Sequence, residues 1–292
     1  MSFLDHIRAC NTLDLTDQLR FLVDGLGYGY VNRARAAVLA THKDVFTVSA
    51  DSVTFAPKLT GVEARSRAIA EITPTLVASG LFAKQRRELY PAKRGWSEPA
   101  AFTIDRGLVS AFGLRAYGVH VNGIAETPDH LWIGTRARDR GLAPGQLDNM
   151  VAGGQPAGLS LRENLIKECA EEAGLTADLA RACRPVGAIS YAFTQDGGVK
   201  IDTLFCYDLV VPRDVVPRNT DGEVEKFDRM PVAEVLDLIR TTDRFKFNVN
   251  LVILDYAVRH SLLDPDREAD YDRILAGLQR RPASELDGFI VK

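Results

Sequence analysis

Residues 152–175, AGGQPAGLSLRENLIKECAEEAGL, decide the reading of this chain, because they join a glycine loop, a short amphipathic helix and a glycine stop. Ser160 followed by Glu163 has the spacing of a capping box, in which the serine oxygen accepts an orphan backbone N–H and the glutamate reaches back to the serine. Gly174 supplies the stop. At about 100° per residue, Leu165, Ile166, Cys169, Ala170 and Ala173 form one apolar face. Glu168, Glu171 and Glu172, at i, i+3 and i+4, converge on another arc. Like charges at that spacing weaken a helix by a few tenths of a kcal/mol per pair, and the macrodipole disfavours them near the C-terminus. A hard divalent cation would compensate them, since Mg²⁺ takes oxygen ligands and combines a few carboxylates with substrate phosphates and water. The plainer alternative is a solvated acidic face with Lys167 paired to Glu171 at i+4.

Upstream, residues 3–26 read as helices, with Leu4, Ile7, Leu15, Leu19, Leu22 and Val23 at three- and four-residue steps. Residues 45–55 alternate as a hairpin, and residues 62–79 return to helical period before Gly80. A polar Pro- and Gly-containing stretch at 91–99 leads to strand-like VHVNGI and HLWIGTRAR. The spacing predicts an α+β accessory domain over 1–112 and a second domain over 113–292. Downstream of the glycine stop, strands are expected at 189–193 and 202–211, a helix at 231–240 and a final helix at 248–260.

The 292 residues, 46% hydrophobic and 26% charged, suffice for one large core or two moderate ones. A formal charge of −3 gives no basic field for tracking phosphate backbones, so nucleic acid is not an expected partner. Cys10, Cys169, Cys183 and Cys206 are scattered without close-pair spacing, which fits reduced thiols and a cytoplasmic setting. No apolar run approaches the roughly 18 residues that span a bilayer, so neither export nor membrane insertion is expected.

With its neighbours, the 152–175 segment resembles the Nudix box: an opening glycine at Gly153, a core glutamate at Glu168, and Glu171-Glu172-Ala173-Gly174 closing the helix. Two positions depart from that pattern. Leu159 stands where the box begins its helix with an acid, and Lys167 replaces an arginine, exchanging a bidentate fork for a single more mobile charge. The resemblance implies a Nudix α/β/α sandwich with a mixed sheet, preceded by the small α+β domain. It also implies a metal site at Gly153, Glu168, Glu171 and Glu172, with Mg²⁺ or alternatively Mn²⁺, and hydrolysis of an organic diphosphate by activated water. Lys167 and one of Glu223 and Glu225, in TDGEVEKF, join the box glutamates as candidate catalytic groups.

Beyond the box, GLRAYGVHVNG (113–123), LWIGTRAR (131–138), PGQLDNMVAGGQPAGLS (144–160), DGEVEKFDRMPVAEV (221–235) and FKFNVNLVILDYAVRH (245–260) carry a narrower likeness. It is to two-domain Nudix proteins found as the front part of fungal thiamine pyrophosphokinases and as plastid Nudix hydrolases. That likeness implies thiamine diphosphate and its oxidised damaged forms as substrates, cut to the monophosphate and phosphate, with ADP-ribose or another nucleotide diphosphate as the alternative. Candidates for the organic end are His120, Asn122, Trp132, Lys246 and Asn248. Tyr28-Gly29-Tyr30 and Phe112 could wall a cleft between the domains; dimerisation or simple support is the first domain's other role. Isopentenyl diphosphate isomerisation on the same fold needs a Cys- and His-rich metal site, which the spread of His6, His42, His120, His130 and His260 does not provide. A non-catalytic sensing domain would commonly lose box glutamates, and all three are retained.

Overall fold

The computed structural model describes residues 2–139 and 141–279. The first region holds α1 (Phe3–Ala9), β1 (Gln18–Val23), β2 (Leu26–Asn32), α2 (Arg33–Leu39), β3 (Phe46–Val48), β4 (Ser52–Phe55), α3 (Gly61–Ala78), β5 (Leu89–Ala92) and β6 (Phe102–Asp105), ending in a 3-10 turn at Arg106–Leu108. Its main sheet runs β2-β1-β4-β3 with β1 and β4 parallel, and β5 and β6 pair separately.

The helical reading of residues 3–26 therefore holds only for α1. Along β1, Leu19, Phe21 and Val23 are buried while the residues between them are partly exposed, a period of two. Asp24 and Gly25, both at positive φ (53° and 79°), make the two-residue turn into β2. The four-residue steps Leu15–Leu19 and Leu19–Val23 fit either period, Leu22 falls on the other face of the strand, and the Asp-Gly turn marks the hairpin. The core of this region is aromatic, with the Phe21 ring edge-on to Phe55, Phe102 and Phe112.

The second region holds β7 (Arg115–Ala125), β8 (His130–Arg136), β9 (Leu147–Asp148), β10 (Val151–Gly154), α4 (Leu161–Ala173), α5 (Ala177–Arg181), β11 (Arg184–Gln195), β12 (Gly198–Val211), β13 (Val224–Pro231), α6 (Val232–Thr241), α7 (Val249–Arg259) and α8 (Tyr271–Leu278). Its mixed sheet runs β11-β12-β7-β8-β13, with β12 parallel to β7. β7 and β8 pair only where Gly123 and Ile124 meet Trp132 and Leu131. Beyond that point β10 pairs with β7 and β9 with β8, so the two central strands part.

Helices α4 and α5 cover one face, over Val119, Val121, Val151 and Leu209. Helices α1, α6, α7 and α8 cover the other, over Ile124, Leu131, Ile133 and Leu204. This is an α/β/α sandwich with a mixed sheet. The strands expected at 189–193 and 202–211 are longer halves of one hairpin, turned by Asp196 and Gly197 at positive φ. The helix at α7 is not the last. Ile274 and Leu278 give α8 an apolar edge, and its Gly277 lies against Ile7 of α1.

Tyr28-Gly29-Tyr30 and Phe112, expected to wall a cleft between the domains, pack directly on each other. Tyr30 N donates to the Phe112 carbonyl at 2.9 Å, and any side chain at Gly29 would overlap that carbonyl. Among the described residues no helix is long and apolar enough to cross a membrane.

Candidate functional site

The α4 helix is fixed at both ends by local chemistry. Ser160 Oγ accepts from Glu163 N at 3.2 Å, and Glu163 Oε2 accepts from Ser160 N at 2.8 Å. Gly174 closes the helix at φ 62°. Asn164 Nδ2 donates to Gly154 O at 2.9 Å, tying the helix to the glycine loop. The buried face is rotated from the sequence expectation: Ala170 is exposed and Ile166 half-buried, while Asn164, Glu168 and Glu172 are buried beside Leu165, Cys169 and Ala173. Two adjacent i, i+4 rows face the sheet, and one of them carries two carboxylates inward.

Those carboxylates press on the loop. A methyl group at Gly153 would overlap the Glu168 carboxylate, so that position is restricted to glycine by close approach. Glu172 Oε2 accepts from Ala152 N at 2.7 Å. Burial pushes the Glu172 carboxyl up to about 8, against the help of that backbone bond, and the like charges of Glu168, Asp148 and Glu223 push the same way. Burial also raises Glu168, with Glu171 and Glu88 adding repulsion and Lys167 opposing it.

Glu171 is half-exposed and bound to Lys167 Nζ at 2.7 Å; the same ammonium lies 3.2 Å from Glu168. Although burial opposes it, these two carboxylates hold the Lys167 ammonium above its ordinary range. Among the described residues no three His, Cys, Asp or Glu side chains are arranged to hold a metal ion. The reason is local: Glu168 and Glu171 turn toward Lys167, and Glu172 toward Ala152. The donor set nevertheless fits a hard divalent cation in its chemistry, being all carboxylate, with two members driven together in a buried place.

The remaining sequence candidates separate. Glu223, half-buried before β13, acts electrostatically on Glu172. Glu225 is exposed and lies 3.6 Å from Arg138, and the β13–β8 register shifts between Val224 and Lys226, so simple alternation does not align the two glutamates. Trp132 packs half-buried against the cluster under α4.

His120 and Asn122 project from β7 toward the opposite face, that of Ile124 and α7. His120 Nδ1 and Asn149 Oδ1 are 2.9 Å apart, Asn149 Nδ2 donates to Asn122 Oδ1 at 2.9 Å, and Asn122 Nδ2 donates to Asp208 at 3.0 Å. Lys246 is buried and donates to Asp148 at 3.1 Å, while Asn248 donates to the Tyr191 hydroxyl at 3.1 Å. Four of the five residues expected at the organic end are thus occupied by internal polar networks.

Sequence reasoning missed groups that the first region brings to the glycine loop. Ala157 N donates to Leu89 O at 2.7 Å, docking β5 on the loop. A side chain at Gly154 would overlap the Tyr90 hydroxyl and come within 3.6 Å of the Arg106 guanidinium carbon. Trp96, from the β5–β6 connection, stands edge-on to Tyr117 and Phe205 at 5.1 and 5.3 Å between ring centres. The Tyr117 hydroxyl is buried with no hydrogen-bond partner among the described residues. The alternation around Tyr90 and the Arg106-Gly107 turn were the only local signals, and neither points to a site.

Comparison with known proteins gives matches over both regions. A family model described as "Domain of unknown function (DUF4743)" matches residues 2–116. The chain is 40% identical over 270 residues to Nudix hydrolase 24, chloroplastic, of Arabidopsis thaliana, covering 90% of this chain and 74% of that protein. It is 38% identical over 283 residues to Nudix hydrolase 20, chloroplastic, of the same plant, covering 92% and 76%. A Deinococcus radiodurans protein of solved crystal structure overlaps 57% of this chain and 95% of its own at 18% identity, with a TM-score of 0.41, too low to carry an argument. The expectation of a cytoplasmic setting is overturned by the two plant relatives, whose names place them in chloroplasts. The four cysteines are buried free thiols.

Proposed function

This chain belongs to the Nudix hydrolases, enzymes of phosphoanhydride bonds, and on that premise we propose that it is a Mg²⁺-dependent hydrolase of thiamine diphosphate and its oxidised forms. In this reading residues 113–292 form the hydrolase unit and residues 1–112 an accessory unit, with α1 packing on the hydrolase core. The observation that carries the reading is the inward pair Glu168 and Glu172, held against Gly153 and Ala152 at the cost of raised carboxyl pKa values. Stability alone gives no reason to bury like charges together.

A divalent ion on Glu168, Glu171 and Glu172 would neutralise diphosphate oxygens and lower the pKa of a bound water. Glu223, close enough to act on Glu172, is the residue proposed to take the proton from the attacking water. Water oxygen bonds to the terminal phosphorus, the bridging P–O bond breaks, and the organic monophosphate leaves with inorganic phosphate as the other product. Lys167 restrains the Glu168 and Glu171 carboxylates.

The thiamine assignment rests on the resemblance of residues 113–260, and the aromatic group Trp96, Tyr117 and Phe205 supports a flat heteroaromatic leaving portion. A panel of diphosphates with Mg²⁺, read by phosphate and monophosphate release, tests it. Thiamine diphosphate derivatives, oxidised above intact, should be cleaved in preference to ADP-ribose, NADH and nucleoside triphosphates. Faster cleavage of ADP-ribose would overturn the substrate class and leave the family standing.

A further inference from the structure

We propose that the accessory unit completes the diphosphate site with Arg106, whose guanidinium, standing on Tyr90 beside Gly154, binds a substrate phosphate. The inference rests on the diphosphate-hydrolase reading above and adds to it a residue from outside the box.

Four observations converge on Arg106. The first is place: its guanidinium carbon would lie 3.6 Å from a β-carbon at Gly154, and its neighbours Tyr90 and Glu88 are both close enough to Glu168 to interact with it electrostatically. The second is support. The guanidinium sits 5.5 Å from the centre of the Tyr90 ring, and the Tyr90 hydroxyl fills the space over Gly154, so the arginine rests on a shelf braced by the loop itself. The backbone under it is also tied down. Arg106 N donates to Glu88 O at 2.8 Å, and Asp105 caps the turn by accepting from Gly107 N at 2.8 Å and from Arg86 N and Arg87 N at 2.9 Å each.

The third is charge. Glu223 acts electrostatically on both Arg106 and Glu172, which puts the arginine within the field of the carboxylate cluster. The fourth is access. Arg106 Nη1 is bonded to Glu88 at 2.9 Å, yet half of the side chain is open to solvent.

A planar cation with several donors suits phosphate oxygens in a way that a carboxylate-bound metal alone does not, because it holds orientation as well as charge. A diphosphate entering between α4 and the β5–β6 hairpin would meet carboxylates and their cation on one side and Arg106 on the other. The docking of β5 through Leu89 O and Ala157 N fixes the distance between those sides. This gives the accessory unit a direct part in binding.

Calorimetric binding of imidodiphosphate with Mg²⁺ to the full chain, alongside steady-state kinetics, decides it. Arg106→Gln should weaken imidodiphosphate binding and raise KM about tenfold while kcat stays within about threefold. Arg106→Lys should recover part of the loss, and added guanidinium should restore binding to Arg106→Gln. Glu88→Gln breaks the same ion pair but keeps the guanidinium; its affinity should stay within about threefold of the parent, and both variants should melt within about 2 °C of it. Unchanged imidodiphosphate affinity in a folded Arg106→Gln protein overturns the inference, as does an equal loss in Glu88→Gln. Full activity in Glu172→Gln would instead strike at the box reading, and the binding measurement would still judge Arg106.

Discussion

The two faces of β7 hold buried charge in opposite ways. On the α7 face, Asp208 is bonded to Arg259 at 2.8 and 3.2 Å, to His260 at 3.1 Å and to Asn122 at 3.0 Å. Despite burial, those bonds and the Arg259 charge hold its carboxyl below the usual range. On the α4 face, Glu168 and Glu172 are also buried, and burial raises both carboxyls, with Glu171 and Glu88 adding repulsion at Glu168 and Glu168 itself adding repulsion at Glu172. A charge satisfied by the protein is part of the architecture. A charge left in excess awaits a ligand, and among the described residues of these two faces only the second carries such an excess.

The sharpest way to break this contrast is Glu172→Gln. Turnover should fall at least about 100-fold, while the melting temperature stays level or rises because a buried carboxyl that folding drives to take up a proton has become a permanently neutral amide. Wild-type turnover in that variant would remove the case for the box. The matching change on the other face is Asp208→Asn, which leaves Arg259 and His260 without their shared carboxylate. Urea titration should show a loss of about 3 kcal/mol, with kcat of the folded enzyme within about twofold. A large fall in kcat without loss of stability would mean that the α7 face is not merely architectural.

His120 offers a pH test of the same distinction. Burial, with Lys246 adding repulsion, pushes its imidazole down to about 4 from an ordinary 6.5. The folded state therefore binds fewer protons than the unfolded chain between those values. The stabilisation is full above about pH 6.5 and is lost as pH falls toward 4. Between pH 7 and 5 this one group should cost about 2 kcal/mol of stability, and His120→Gln should flatten that slope in denaturation curves taken across the range. An unaltered slope would show that the imidazole is not held neutral by its surroundings.

The parts of this molecule legible in the sequence are those set by neighbours a few residues apart. The Ser160–Glu163 box and the Gly174 stop are matters of spacing within a turn, and the structure forms them as read, whereas of the three glutamates expected on one arc Glu168 and Glu172 turn inward and Glu171 stays half-exposed. Period alone misled at residues 18–23, where Leu19 and Leu22, three apart, sit in a strand that alternates. Face assignment was harder still. Alternation puts His120 and Asn122 on one side of β7, but nothing local says that α4 covers the other. Tyr90 and Arg106 reach the glycine loop through the docking of β5, a contact between segments some 65 residues apart in the chain, so no window of sequence contains it.

The smallest expected effect concerns Lys167. Its ammonium bridges Glu171 at 2.7 Å and Glu168 at 3.2 Å, and at i, i+4 the pair with Glu171 is the ordinary helical one. A guanidinium at this position has a planar fork that can engage both carboxylates at defined angles, whereas the ammonium is a compact charge on a flexible stem. If these side chains only neutralise each other, as on the α7 face, the exchange should shift stability by a few tenths of a kcal/mol and leave kinetics alone. If they are restrained for work on a ligand, Lys167→Arg should keep or raise kcat, by no more than about threefold, and lower the Mg²⁺ concentration giving half-maximal activity. The Mg²⁺ titration is the discriminating measurement. A collapse of activity to the level of Glu172→Gln would show that the ammonium has a role the fork cannot fill, and that Lys167 belongs with the groups that touch substrate.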